Sequence, residues 1–341
     1  MNYKWNLTDL GSVPKNGHKV FSCFSCGGGS TMGYKRAGYD VIGCVEIDRQ
    51  MMDIYKKNHH PRFPFLMDIR EFNAIPDAGL PPELFALDIL DGSPPCSTFS
   101  MSGSREKDWG KARKFREGQK AQRLDMLFMD FIDTAARLKP KVIVAENVTG
   151  IIKGNAKGYI VEILNGFRDA GYDVQMFKLN AATMGVPQNR ERVFFVARQK
   201  ALDLPNLTLT FNEPPILFGD VRSEKGIPLS EKSKYKALLE RRRPGDKSIA
   251  DIYKRVHGRV SGFNNSIAAD NMVASTVTSN GMRFRMCDGH RLTKHDYLMV
   301  STFPQDYDFG GMEVQYVCGM CVPPVMMEKI AAEIYRQWLC V

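Results

Sequence analysis

The stretch GSPPCSTFS (92–100) sets one cysteine, Cys96, behind two prolines and among small hydroxyl residues. The apolar run 84–90 before it predicts a strand, so the sulfur stands just past a strand end, where open parallel sheets build their sites. A free cysteine is most often a small, inert core residue. Here, however, Pro94 and Pro95 fix the backbone and remove two N–H donors, which leaves the loop few alternative shapes. Such stiffness suits a thiolate nucleophile that must be held in place.

A second group of residues has the character of a ligand site. FSCGGGSTMG follows the apolar strand HKVFSCFSC, and its glycines Gly27, Gly28 and Gly29 let backbone approach a ligand closely. Glu46 ends the next apolar run, YDVIGCVEID, about twenty residues on, where an acid accepts hydrogen bonds from ribose hydroxyls. The turn lacks the GxGxxG spacing and carries no basic residue to meet a pyrophosphate. A nucleoside without phosphates fits better, and S-adenosylmethionine is the candidate.

The elements that must hold these groups alternate. Strands are predicted at 18–26, 39–48, near FPFLMDI, at 84–90, at KVIVAENV, at DVQMFKLN and at RVFFVARQ. Helical spacing is read around 34–38, 49–58, 124–138 and 159–170. Strand–helix alternation over some 180 residues predicts an α/β fold with a doubly wound, mostly parallel sheet. After Gln199 the pattern breaks on prolines 205, 214, 215, 228 and 244, predicting a smaller, irregular domain. The last helix, 324–338, opens on proline and returns to the sheet. The expected division is 1–200 catalytic and cofactor-binding, 201–287 target recognition, and 288–341 returning to the catalytic domain with its helix beside the first strand.

With 341 residues and 43% hydrophobic content, the chain can bury a large core plus a smaller one. No apolar run reaches the length of a membrane span, and the N-terminal residues lack the apolar stretch of a secretory signal. Eight cysteines in a chain of this size, several beside glycines, suit a reducing compartment. A cytoplasmic protein is expected. The net charge of +9 is concentrated: residues 222–259 hold twelve Lys/Arg against five Asp/Glu, and residues 105–123 hold eight against three. A charged segment is most often a solvated face, but two basic segments, one directly after Cys96, fit phosphate contact.

With FSCGGGS, VEID, MDI, GSPPCSTFS, AENV and QNRERVFFVA in that order, the chain resembles the cytosine-C5 DNA methyltransferases. The resemblance covers 19–199 and resumes at 291–304 and 316–325. It implies the S-adenosylmethionine-dependent methyltransferase fold, with a recognition region between the matched parts. In it Cys96 adds to C6 of cytosine, Glu146 hydrogen-bonds the N3/N4 edge and supplies a proton, Arg192 holds O2, and Arg190 lies near the nucleophile. The target base must leave the duplex to present C6, and 100–123 would close over double-stranded DNA. For S-adenosylmethionine, the resemblance sets Phe24 against adenine and Glu46 on ribose beside Ile47. It puts Asp68 and Ile69 at the adenine edge, with Pro95, Leu127 and Val322 lining the pocket. A monomer is expected, with a cognate restriction endonuclease as a functional partner where one accompanies it.

The chain departs from the family pattern at three places. Cys26 stands where glycine is usual, Met320 and Cys321 replace an Asn-Ser pair, and Asp296 replaces a glutamate. Two other readings keep the fold: a tRNA cytosine-5 methyltransferase, whose Cys-Phe-Thr motif is not found here, and a catalytically idle DNA-binding relative. Cys23-x-x-Cys26 and Cys318-x-x-Cys321 have zinc-ligand spacing, but no ribbon pattern flanks either pair, and no metal is expected.

Overall fold

A computed structural model describes residues 3–95, 126–152, 157–263, 265–281 and 283–340. Contacts divide the chain into two compact units. One holds 10–179, 191–210 and 327–341, and the other holds 1–9, 180–190 and 211–326.

The first unit is built on a seven-stranded sheet. Its strands are β1 (Lys19–Cys23), β2 (Asp40–Glu46), β3 (Phe63–Leu66), β4 (Ile89–Gly92), β5 (Val142–Val148), β6 (Tyr172–Asn180) and β7 (Glu191–Gln199), in the order β3-β2-β1-β4-β5-β7-β6. The pairs β3–β2, β2–β1, β1–β4 and β4–β5 are parallel, and β5–β7 is antiparallel. The chain winds outward from β1 to β3 and then crosses back to β4 on the other side of β1. The order therefore reverses between β1 and β4, the place where a doubly wound sheet opens a crevice beyond its strand ends. Cys23 and Gly92 are paired at that end, so the glycine turn and the loop leading to Cys96 leave from neighbouring strands.

The helices are α1 (Gly29–Arg36), α2 (Arg49–His59), α3 (Ile69–Ala74), α4 (Leu127–Leu138) and α5 (Lys157–Asp169). Side-chain alternation assigns Phe21, Cys23, Leu90, Ile143 and Ala145 to one face of the sheet. There they pack with Ile69, Phe72, Phe128, Phe131, Ile163 and Phe167 in one apolar core. Gly92 is required by this packing, because a Cβ on it would overlap the Phe131 ring. Ser22, Asp91 and Cys44 point to the opposite face, toward Tyr34 of α1 and toward Met52 and Tyr55 of α2. In the C-terminal helix Pro324–Ile334, Glu328 pairs with Arg36 at 2.7 Å and the Ala331 carbonyl accepts from the Tyr39 hydroxyl at 3.0 Å.

Two elements differ from the sequence reading. The strand expected at 84–90 begins only at Ile89, because Pro81 and Pro82 start a 3-10 turn over Pro82–Ala86. The first helix begins at Gly29, not near Tyr34, with Gly28 in the left-handed region as its N-cap. Its first turn is glycine, serine and threonine, poor helix formers, yet all of Gly29–Tyr34 is buried, so packing supplies what propensity does not.

The second unit has short elements around an apolar cluster of Leu238, Leu239, Ile249, Ile252, Ile267 and Phe284. Asp296 organises its polar centre. It is fully buried at the third position of the helix Lys294–Val300 and closes a capping box with Thr293. It also accepts from the Ser223 backbone N–H at 2.6 Å. The fully buried Arg285 lies 3.2 Å from Asp288 and donates to the Ser223 hydroxyl and the Glu224 carbonyl at 3.0 Å each. Asp296 thus closes the capping box that a glutamate ordinarily closes at this position.

Candidate active site

The crevice of the first unit collects most of the residues singled out in the sequence. Glu46, at the end of β2, is buried, and its two carboxylate oxygens accept the backbone N–H groups of Cys26 and Asp48, at 2.8 Å each. Burial pushes its carboxyl up from the ordinary value, and the two backbone donors oppose that rise. Glu46 thus bridges the glycine turn after β1 to the start of α2. Asp48 caps α2 by accepting from the N–H groups of Gln50 and Met51.

The turn is strained. Phe24 and Cys26 both adopt the left-handed region, at φ 55° and 46°. Each costs about 1 kcal/mol relative to glycine. Glycine at position 26 would be free of that cost. Gly28, at φ 77°, follows, and a Cβ there would overlap the imidazole of His59.

Asp68 caps α3, accepting from the Arg70 N–H at 2.9 Å in a capping box with Glu71. Ile69 and Leu127 are core residues, Phe24 packs half-buried against that core, and Ile47 is 38% exposed beside Glu46. Pro95 is half-buried, and Gly27 and Gly29 are buried. A buried carboxylate held by backbone donors, an aromatic ring at the strand end and a turn without basic side chains fit a nucleoside cofactor such as S-adenosylmethionine.

On the other side of the crevice, Glu146 of β5 and Arg192 of β7 form an ion pair, Nε to Oε1 2.7 Å, with both side chains less than 15% exposed. Val148 is paired with Arg192 and Glu146 with Phe194, so antiparallel register brings the acid and the arginine side by side. The Arg192 guanidinium also donates to the Glu191 carbonyl at 2.8 Å. Asn147, which the sequence reading passed over, is buried and donates to the Pro94 carbonyl at 3.2 Å. It ties β5 to the proline loop, and its only sequence signal was its place beside Glu146. Cys96 and the basic segment 105–123 lie outside the described residues.

Arg190 and Val322 belong to the second unit. Arg190 is buried, and its guanidinium donates to the carbonyls of Val277 at 3.0 Å and Gly319 at 3.1 Å. Gly319 is needed where it stands because a Cβ would overlap the Thr278–Ser279 backbone. Gln188, another buried residue of the same motif, accepts from the Val277 N–H and donates to the Val300 carbonyl, each at 3.0 Å.

Among the described residues no group of three or more His, Cys, Asp or Glu side chains could hold a metal ion. Burial pushes the thiols of Cys23 and Cys318 well up, so both are protonated and unreactive. No described helix is long and apolar enough to cross a membrane.

The chain is similar to known proteins along most of its length. The family model for C-5 cytosine-specific DNA methylases matches residues 18–336. The type II methyltransferase M.FnuDI of Fusobacterium nucleatum is 34% identical over 193 residues, 57% of this chain and 50% of that protein. The chain thus spans about half the length of this relative, and the same share of M.NgoPII of Neisseria gonorrhoeae, 31% identical. M1.HphI of Haemophilus parahaemolyticus is 27% identical, with 92% of this chain and 85% of that protein covered. Among solved structures, a DNA modification methyltransferase encoded within an E. coli prophage superposes with a TM-score of 0.67 at 20% identity, covering 94% of this chain and 99% of that one. Spodoptera frugiperda DNMT2 superposes at 0.63 and 16%, covering 93% and 99%, and both show the same fold.

Proposed function

The chain belongs to the C-5 cytosine-specific DNA methylase family, and from that premise we propose that it is a DNA (cytosine-5)-methyltransferase acting on duplex DNA with S-adenosylmethionine. The observation that carries this reading is the buried Glu146–Arg192 pair, set on adjacent strands and linked through Asn147 to the loop before Cys96.

C5 of cytosine is a poor nucleophile. The Cys96 thiolate forms a bond to C6, while Glu146 relays a proton taken up from solvent to N3 and Arg192 holds O2. Electron density then reaches C5, which takes the activated methyl group that the cofactor supplies. Loss of the C5 proton to a base, breaking of the C6–S bond and return of the N3 proton to Glu146 restore the thiolate and release 5-methylcytosine. The ion pair prepares this step. It keeps two groups that must meet neighbouring atoms of one base edge within a few ångströms of each other before the base arrives. A base reaches this site only when flipped out of the helix.

Phe24, Glu46, Ile47, Asp68, Ile69 and the turn Gly27–Gly29 would hold the cofactor, with Pro95 and Leu127 completing this unit's share of its pocket. Residues 201–287 are assigned to target recognition, because they lie between the matched motifs and carry much of the positive charge. The names of the bacterial relatives favour a place in restriction and modification.

Methylation of unmodified DNA, read by sequencing 5-methylcytosine, tests the proposal. Glu146→Gln keeps an oxygen for Arg192 but cannot deliver the proton, and should lose about 10²- to 10⁴-fold in rate. Full activity in that variant would remove Glu146 from the chemistry.

A further inference from the structure

The glycine turn after β1 is the most permissive backbone in the crevice, since glycine adopts many conformations at little cost. Something must select one of them. Glu46 does so from one side by accepting the Cys26 N–H. From the other side comes His59, the last residue of α2. Its Nε2 lies 3.2 Å from the Gly27 carbonyl, and its ring occupies the space a Cβ of Gly28 would need.

His59 does not stand alone. Tyr55, one turn earlier on the same face of α2, meets the His59 ring edge-on at 4.7 Å between centroids. The Tyr55 hydroxyl shares a 2.7 Å hydrogen bond with Thr31 of α1. Lys35 of α1 donates to the His59 carbonyl at 2.8 Å. One face of α2 thus clamps α1 and the turn that precedes it. Filling space alone calls for an apolar residue at 59, because burying a polar ring is costly unless it is hydrogen-bonded. A carbonyl only accepts, so the neutral imidazole must carry its proton on Nε2. Burial lowers the His59 pKa to about 3, which keeps the ring neutral.

We propose that His59 is the positioning residue of the cofactor turn, its Nε2–H pinning the Gly27 carbonyl so that Gly27–Gly29 present one backbone shape to S-adenosylmethionine. This rests on the cofactor reading above and extends it to a residue of α2.

The test is calorimetric binding of S-adenosylhomocysteine to the full chain without DNA. His59→Gln keeps an N–H donor at the reach of Nε2, whereas His59→Leu keeps bulk and removes the donor. The leucine variant should bind about tenfold more weakly, the worth of one hydrogen bond, and the glutamine variant within about threefold of the parent. DNA affinity should be unchanged in both. Equal losses in the two variants, or none in leucine, would overturn the proposal. A parent that binds no S-adenosylhomocysteine would overturn the cofactor reading along with it. Nitrogen NMR of the parent decides without any variant. The His59 ring should be neutral and protonated at Nε2 between pH 5 and 8, and an imidazolium or an Nδ1–H form would refute the assignment.

Discussion

Replacing Asp91 with asparagine should make the chain relatively more stable as pH rises from 5 to 8. Asp91 is 2% exposed on β4, facing the Ser22 hydroxyl at 2.7 Å and the Tyr34 hydroxyl at 3.3 Å. Burial raises its pKa from the ordinary 3.8 to about 7, with the charge of Glu146 pushing the same way and the two hydroxyls opposing. A carboxyl raised on folding binds its proton more tightly in the folded chain. Its stabilising contribution is full below 3.8 and is lost as pH climbs to about 7. Between pH 5 and 7 the loss is roughly 2 kcal/mol, since each pK unit is worth about 1.4 kcal/mol and the slope fades near the folded pKa. Asparagine does not titrate and can still bond both hydroxyls. Urea denaturation of parent and Asp91→Asn, followed by circular dichroism at pH 5 and pH 8, should show the stability difference shift by that amount in favour of asparagine. A difference that stays constant within about 0.5 kcal/mol would refute the assignment of a buried proton to Asp91.

Two further outcomes follow from strain and charge. Cys26→Gly should alter stability by less than about 1 kcal/mol, because relief of the left-handed strain is offset by the freer unfolded chain. Cys26→Val should cost about 2 kcal/mol, and thermal melts that rank valine level with glycine would contradict this. Arg242 donates to the carbonyls of Leu239, Met286 and Cys287, so Arg242→Ala should destabilise by about 2 kcal/mol. Its exposed neighbours Arg241 and Arg243 should leave stability unchanged, and each should lower the salt dependence of DNA binding by about one phosphate contact. An unchanged slope would make them a solvated face only.

Much of the sheet is legible because its buried strands are unbroken apolar runs, as in KVIVAENV, and because glycine, proline and acid mark their ends. The Glu146–Arg192 pair was legible as two motif residues, although only antiparallel register explains why they meet. Other features were hidden for physical reasons. His59 sits in KKNHH, where it reads as a cation at a helix C-terminus, and its partner Gly27 is 32 residues away. Arg242 belongs to a run of three arginines that looks uniformly solvated until its carbonyl partners are seen. Asp91 lies inside the apolar run LDILDG, where nothing in the chain reveals which face of β4 it takes. Side-chain direction and long-range partners, not element type, were what the sequence left out.

The central claim is that Cys96 forms a bond to cytosine. Fluorine at C5 cannot leave as a cation, so a duplex carrying 5-fluorocytosine at the target, incubated with protein and S-adenosylmethionine, should trap protein on DNA after methyl transfer. Denaturing electrophoresis should show that species with the parent and none with Cys96→Ser, whose hydroxyl is far less ionised at neutral pH. A bonded species that persists in Cys96→Ser would place the nucleophile elsewhere and contradict the account.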